Sequence, residues 1–199
     1  MLGAGLEDCG KAFIDVTSMG VVAVSGQAAS GKTTVARKLA SKLNYRFVSI
    51  GELFRKIAVE RNVSLVELHR IAESDFSIDK AVDEESIREA RKGNVVIEGH
   101  LAAWLLRDLA DVRIYLKADT KVRAQRLSAR DGKPATEAIS EIRIREESNR
   151  RRYLTIYGID INDLSPFDLV IDTTYIDADQ VVDLVYKYVY SVLQNKGSL

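Results

Sequence analysis

Five short runs rich in apolar and β-branched residues punctuate the chain: residues 21–25 (VVAVS), 46–50 (RFVSI), 94–98 (NVVIE), 112–118 (VRIYLKA) and 168–173 (DLVIDT). Three of them are nearly continuous in apolar character, the pattern of strands covered on both faces. Between the runs, apolar positions return at helical spacing. Val35, Leu39, Ala40 and Leu43 share one face, and Ala178, Val181, Val182, Val185, Tyr188, Val189 and Val192 form a core-facing stripe near the C-terminus. Strands alternating with helices predict an α/β three-layer sandwich around a five-stranded parallel sheet. Two helical stretches exceed a simple crossover: residues 53–91 and the charge-dense residues 131–157. Insertions after strands of an open α/β sheet lie where ligands bind.

The first strand runs into GQAASGKTT, Gly26 to Thr34. Two glycines separated by four small or polar residues, followed by Lys32 and Thr33, have the spacing of a phosphate-binding loop. Glycine lets backbone N–H groups close around an oxyanion, and the helix that follows adds the positive end of its dipole. Gly26, Gln27, Ala28, Ala29, Ser30, Gly31, Lys32, Thr33 and Thr34 are therefore the expected ATP-binding segment. In this pattern the lysine reaches the β- and γ-phosphates and the Thr33 hydroxyl ligates Mg²⁺. No NKxD base-reading element follows a later strand, which argues against a small GTPase.

Composition narrows the field further. The 199 residues suffice for one substantial domain. Lys+Arg and Asp+Glu are both 29, and this balance gives no support to a general nucleic-acid or membrane-surface binder. One cysteine, Cys9, excludes an intrachain disulfide framework. With no apolar run of membrane-spanning length, the chain is expected to be cytoplasmic and a monomer. Residues 1–19 precede the first strand as an extension of unclear role.

The segments SGQAASGKTTVA, GELFRKIA, SIDKAVDEE, VVIEGHLAAW, REESNRRRY and YGIDINDLSPFDLVIDT together resemble the nucleoside monophosphate kinases of the P-loop superfamily. The resemblance covers about residues 20–190 and is closest to the short archaeal-type cytidylate kinases. It implies a P-loop core, a monophosphate-binding insert at 51–91 and a lid at 131–157. It also implies transfer of the γ-phosphoryl group of ATP to CMP, and to dCMP, with Mg²⁺.

Residue by residue, the resemblance makes Arg55 an acceptor-phosphate ligand, suited to it by the arginine fork. Asp79 and Asp83, four apart on a helix, become readers of the cytosine amine; a helix cap and surface charge is the competing reading. Glu98 faces the metal through water. Arg126 and Arg130, with Arg123 nearby, resemble the arginines that bracket the donor nucleotide. Arg145 and Arg152 become catalytic lid arginines, in a cluster with Asn149, Arg150 and Arg151.

One position departs from the pattern: His100 stands where the family usually has arginine. As an acceptor-phosphate ligand its charge would depend on pH near neutrality; the alternative is a histidine that satisfies a local carbonyl. Two other functions remain open on these residues, another small-acceptor kinase such as an adenylate kinase and a non-catalytic, RNA-associated ATP-binding module.

Overall fold

The computed structural model describes residues 20–197, so the N-terminal extension lies outside the described residues. Five strands, β1 (Val21–Gly26), β2 (Arg46–Ser49), β3 (Val95–Glu98), β4 (Val112–Lys117) and β5 (Leu169–Asp172), form one all-parallel sheet in the order β2-β3-β1-β4-β5. Parallel pairing requires crossovers. These are supplied by α1 (Lys32–Leu43), α2 (Ile50–Glu60), α3 (Leu65–Ala72), α4 (Ser77–Ala90), α5 (Ala102–Leu105), α6 (Thr120–Asp131) and α7 (Ala135–Tyr157), with α8 (Ala178–Asn195) closing the chain.

Alternation along β1 builds the two sides of the core. Val22 and Val24 face α1 and α8, where Leu39, Val182, Val185 and Val189 pack against them. Val21 and Ala23 face the opposite layer, where Ala102, Ala103 and Leu106 of the α5 region lie. The sheet order puts β1 in the middle, with β3 and β4 on either side, so the crevice at the C-terminal end of β1 lies at a switch in strand order.

The two long helical stretches carry their own packing. Phe54, Ala58, Leu68, Ala72, Ile78 and Val82 bring α2, α3 and α4 together as one subsidiary core. Helix α7 has 23 residues and is roughly 34 Å long at the usual rise per residue. Its first half packs Ala138 and Ile142 onto Ala124 and Leu127 of α6 and onto Ala28. Its second half is joined to the α2–α4 group, where Ser148 Oγ donates to the His69 carbonyl at 3.2 Å. Gly158 ends the helix with φ of 67°.

The distinctive segment that follows α7 is a fastening. Phe167 meets Trp104 edge-on at 4.7 Å and Tyr115 at 4.9 Å, while Asp168 pairs with Arg113 of β4 at 3.0 Å.

At Gly26 the chain has φ of 147°, and a Cβ there would lie 2.0 Å from the Leu116 carbonyl oxygen of the neighbouring strand. Gly26→Ala is expected to cost about 3 kcal/mol or more, from backbone strain plus displacement of a paired strand. A denaturant titration should show the loss; an unchanged midpoint would mean that the loop leaves β1 by another path.

Candidate active site

Gly31 has φ of 96° and stands at the N-cap of α1, which aims the first-turn N–H groups of that helix at the crevice. Ala29 to Thr34 line a cleft of about 1250 Å³. Lys32 is also in this wall, only 7% exposed, and its Nζ donates to the Gln27 carbonyl at 2.6 Å. Burial lowers the Lys32 pKa to about 8, with Glu98 opposing and Arg145 reinforcing the shift. An arriving triphosphate restores the full charge by attraction.

The other end of the expected loop has a different task. Gln27 turns its side chain away and accepts from Ala118 N at 3.0 Å, while Ala28 is buried against α6 and α7. Arg123 sits beneath them, donating to the Ala28 carbonyl at 3.2 Å and to Glu146 at 2.6 Å, and Glu146 accepts from Ala28 N at 3.1 Å. These contacts brace the loop from behind. They take Arg123 out of the arginines that could bracket a donor nucleotide.

Thr33 Oγ1 donates to Glu98 Oε1 at 3.0 Å, and Ser49 donates to the same carboxylate oxygen. Glu98 is 2% exposed at the end of β3. An all-oxygen set of hydroxyl and carboxylate beside the phosphate loop fits a hard divalent cation. The described residues contain no group of three or more His, Cys, Asp or Glu able to hold a metal. A cation here would therefore take most of its ligands from phosphate and water.

Cationic groups approach this cleft from several elements. Arg126 lines it and donates to the Thr173 hydroxyl at 2.9 Å and to the Thr173 carbonyl at 2.7 Å. Arg130 lines it too, forked onto Asp131 at 2.6 and 2.9 Å. Arg55 and Arg145 face the cleft from the α2 and α7 sides. Arg55 makes no hydrogen bond or ion pair among the described residues. Arg145 pairs with Glu141 at 3.1 Å, and its buried Nε has no hydrogen-bond partner.

His100 lies in the same wall. Burial, then the charges of Lys32 and Arg145, hold its pKa well below the usual histidine value. Burial and these cations thus favour the neutral ring in the unliganded protein, and a bound phosphate would oppose them.

Five residues expected at the site are located elsewhere. Arg152 is not in the cleft wall. It is 2% exposed, with Nε 2.9 Å from Asp79 and Nη1 near His69 Nδ1 at 3.1 Å, and it also donates to Ser148 and Asn149. Asp79 and Asp83 do share a helix face, but that face is turned toward α7. Asp79 meets Arg152 there, and Asp83 accepts from the Tyr157 hydroxyl. Arg150 and Arg151 are exposed and pair with Glu147 and Glu73, outside the cleft wall. A helix seven residues long between Arg145 and Arg152 returns to one side, yet the α2–α4 group covers its second half, so the two arginines meet different surroundings.

Sequence reasoning missed Ser49, His69, Lys133 and Glu141. Ser49 had a readable signal: it caps α2 by accepting from Glu52 N at 3.1 Å, in an S-x-x-E pattern. The other three carry no local signal.

A central parallel sheet, a phosphate loop at the end of its middle strand and converging cations define a P-loop kinase. The solved structures bear out the fold: a shikimate kinase from Bacteroides thetaiotaomicron superposes with TM-score 0.57 at 15% identity, covering 86% of this chain and 98% of that one. A gluconokinase from Sinorhizobium meliloti superposes with TM-score 0.59 at 18% identity, covering 89% and 95%. Residues 21–175 match the cytidylate kinase-like family, and the chain belongs to it. A cytidylate kinase of Pyrobaculum islandicum is 52% identical over 180 residues, 90% of this chain and 98% of the relative. One of Sulfurisphaera tokodaii is 43% identical over 174 residues, 87% and 97%.

Two titrations check the electrostatics. The imidazole of His100 in the unliganded protein, followed by NMR, should titrate below the ordinary histidine value; a midpoint at or above that value would refute this setting. Asp83 is pushed up to about 7, by burial first, against the Tyr157 hydrogen bond, with Asp79 adding to the rise. The folded state therefore keeps a proton that the unfolded chain releases near about pH 4, and stability falls as pH rises through that window. Asp83→Asn should flatten the decline in thermal midpoint between about pH 4 and 7. Equal slopes in the two proteins would show that Asp83 is ionised throughout.

Proposed function

We infer that the protein transfers the γ-phosphoryl group of ATP to CMP, and to dCMP, giving ADP and the corresponding diphosphate. The observation that carries this reading is one continuous cleft of about 1250 Å³, with Lys32 and Thr33 in its phosphate loop and Arg55, His100 and Arg145 also in its walls. A single small-molecule site usually occupies about 300–1,000 Å³, so the cleft has room for two nucleotides meeting at their phosphates.

Donor and acceptor are held by different elements. The loop N–H groups and Lys32 take the β- and γ-phosphates, with Arg126 and Arg130 beside the rest of the donor. Arg55 forks onto the acceptor phosphate from α2, and His100 adds a hydrogen bond. Thr33 Oγ1 and, through water, Glu98 would hold Mg²⁺, which supplies charge neutralisation on the phosphate oxygens when bound. Arg145 approaches the transferring group from α7, where positive charge is most effective in the transition state.

The acceptor hydroxyl-equivalent is a phosphate oxygen, already anionic, so no strong base is needed. Positioning carries the rate. In this scheme α2–α4 form the acceptor-binding insert and the first half of α7 the lid. Asp79 and Asp83 remain the candidates for reading the cytosine amine, from a position beside Arg152 on the α7-facing side of the insert. One chain supplies every group used, and acting on ATP and CMP it would work in the cytoplasm. No helix among the described residues is long and apolar enough to cross a membrane.

CMP, dCMP, UMP, AMP and GMP offered separately with ATP and Mg²⁺ test the reading. CDP and dCDP should form fastest. Preference for AMP would make the protein an adenylate kinase, and ATP binding without any diphosphate product would make it a non-catalytic module. Lys32→Ala should fold and lose transfer by at least about a thousandfold, as the fixed counter-charge on the phosphates disappears. Near wild-type turnover in that variant would move the catalytic phosphate site elsewhere.

A further inference from the structure

Six carboxylates line the cleft, Glu52, Glu98, Asp131, Glu137, Glu141 and Asp177, and Glu141 holds two cations of the same wall. Glu141 of α7 lines the cleft together with Arg130, Lys133 and Arg145. Its carboxylate accepts from Arg145 Nη1 at 3.1 Å and from Lys133 Nζ at 2.5 Å. All three side chains are shielded, at 11% exposure for Glu141, 10% for Arg145 and 19% for Lys133. Burial works against the Glu141 charge, but the Lys133 hydrogen bond and the Arg145 charge hold its pKa below the ordinary glutamate value. The carboxylate is therefore ionised and occupies two cations that a phosphate would otherwise attract.

We propose that Glu141 is a positioning residue that holds Arg145 and Lys133 off the donor phosphates until an acceptor fills the cleft, and thereby suppresses transfer of the phosphoryl group to water. The proposal rests on the kinase reading of the same site. ATP alone brings a triphosphate that must compete with a fixed carboxylate for Arg145. ATP and an acceptor together bring two phosphate groups, and the combined charge draws the arginine away from Glu141. The wasted reaction is hydrolysis: a water oxygen forms a bond to the γ-phosphorus, the bond to the ADP oxygen breaks, and the water proton passes to solvent. An arginine already placed on the γ-phosphate would accelerate that step as readily as transfer to CMP.

A purely structural role for the Glu141–Arg145 pair is the competing account, since glutamate four residues before arginine steadies a helix. The two accounts differ in sign for ATP. Removing a carboxylate from a triphosphate cleft should tighten ATP, whereas damage to the helix should weaken it.

The experiment measures ADP formation without acceptor, and KM for ATP with CMP present, in wild type, Glu141→Asp and Glu141→Gln. Expected for Glu141→Gln are a rise in idle hydrolysis of about tenfold and a lower KM for ATP, as the population with Arg145 released grows. Glu141→Asp keeps the charge but withdraws it by one methylene, so its idle rate should fall between the other two. Should Glu141→Gln not fold, the aspartate variant alone decides, by whether its idle rate exceeds that of wild type. Idle hydrolysis at the wild-type level in every folded variant, or a raised KM for ATP, would overturn the proposal. Wild type forming no diphosphate from any acceptor would instead overturn the kinase reading itself.

Discussion

Several like charges are brought into one partly dry cleft, and much of the surrounding structure can be understood as the means of keeping them there. Lys32, Arg55, Arg126, Arg130 and Arg145 all border the same space. Unpaired, they would repel one another strongly, because the screening of bulk water is reduced between protein walls. The fold answers in three ways. Carboxylates accompany the cations, Glu98 at the end of β3 and Glu141 on α7. Burial leaves Lys32 with a pKa of about 8, so part of its charge is relinquished when no phosphate is present. His100 is held neutral by its surroundings. A bound polyphosphate would restore the Lys32 charge, which ties the electrostatics of the site to occupancy.

Helix α7 is where this constraint meets the architecture. Its first half closes over the phosphate loop, with Glu146 accepting from both Arg123 and Ala28 N. Its second half is sunk into the α2–α4 group through Arg152, Ser148 and His69. A rigid helix anchored at both ends passes displacement from one to the other. The P-loop side and the insert side are therefore coupled near Arg145, which lies between Ile142, packed on α6, and Ser148, bonded to His69. A buried arginine bonded to Asp79, Asn149, Ser148 and His69 is costly to extract, since each partner would be left unsatisfied.

Much of the plan was legible in the chain. The five apolar runs became the five strands to within a residue or two, since a parallel strand buried on both faces has no other economical sequence. The phosphate loop was legible because Gly26, Gly31, Lys32 and Thr33 are each demanded by local backbone geometry or by phosphate chemistry. Glu98 was legible as the acid at a strand end beside that loop. The division of labour among the arginines was not. Arg123, Arg145 and Arg152 are chemically identical, and helical spacing says which share a side of one helix but nothing about what covers that side. Arg123 became a brace, Arg152 a buried anchor, and Arg145 a cleft residue.

The sequence by itself thus determined the elements, the parallel sheet and the P-loop, because these depend on residues close together in the chain. Tertiary structure alone decided which cations face the cleft, which carboxylate restrains them and what charge His100 carries. Those outcomes depend on burial and on charges separated by many residues, such as Lys133 and Arg145 meeting at Glu141, or Asp79 meeting Arg152 across two helices. A pKa or an ion pair is a property of an environment, and that environment exists only once the chain has folded.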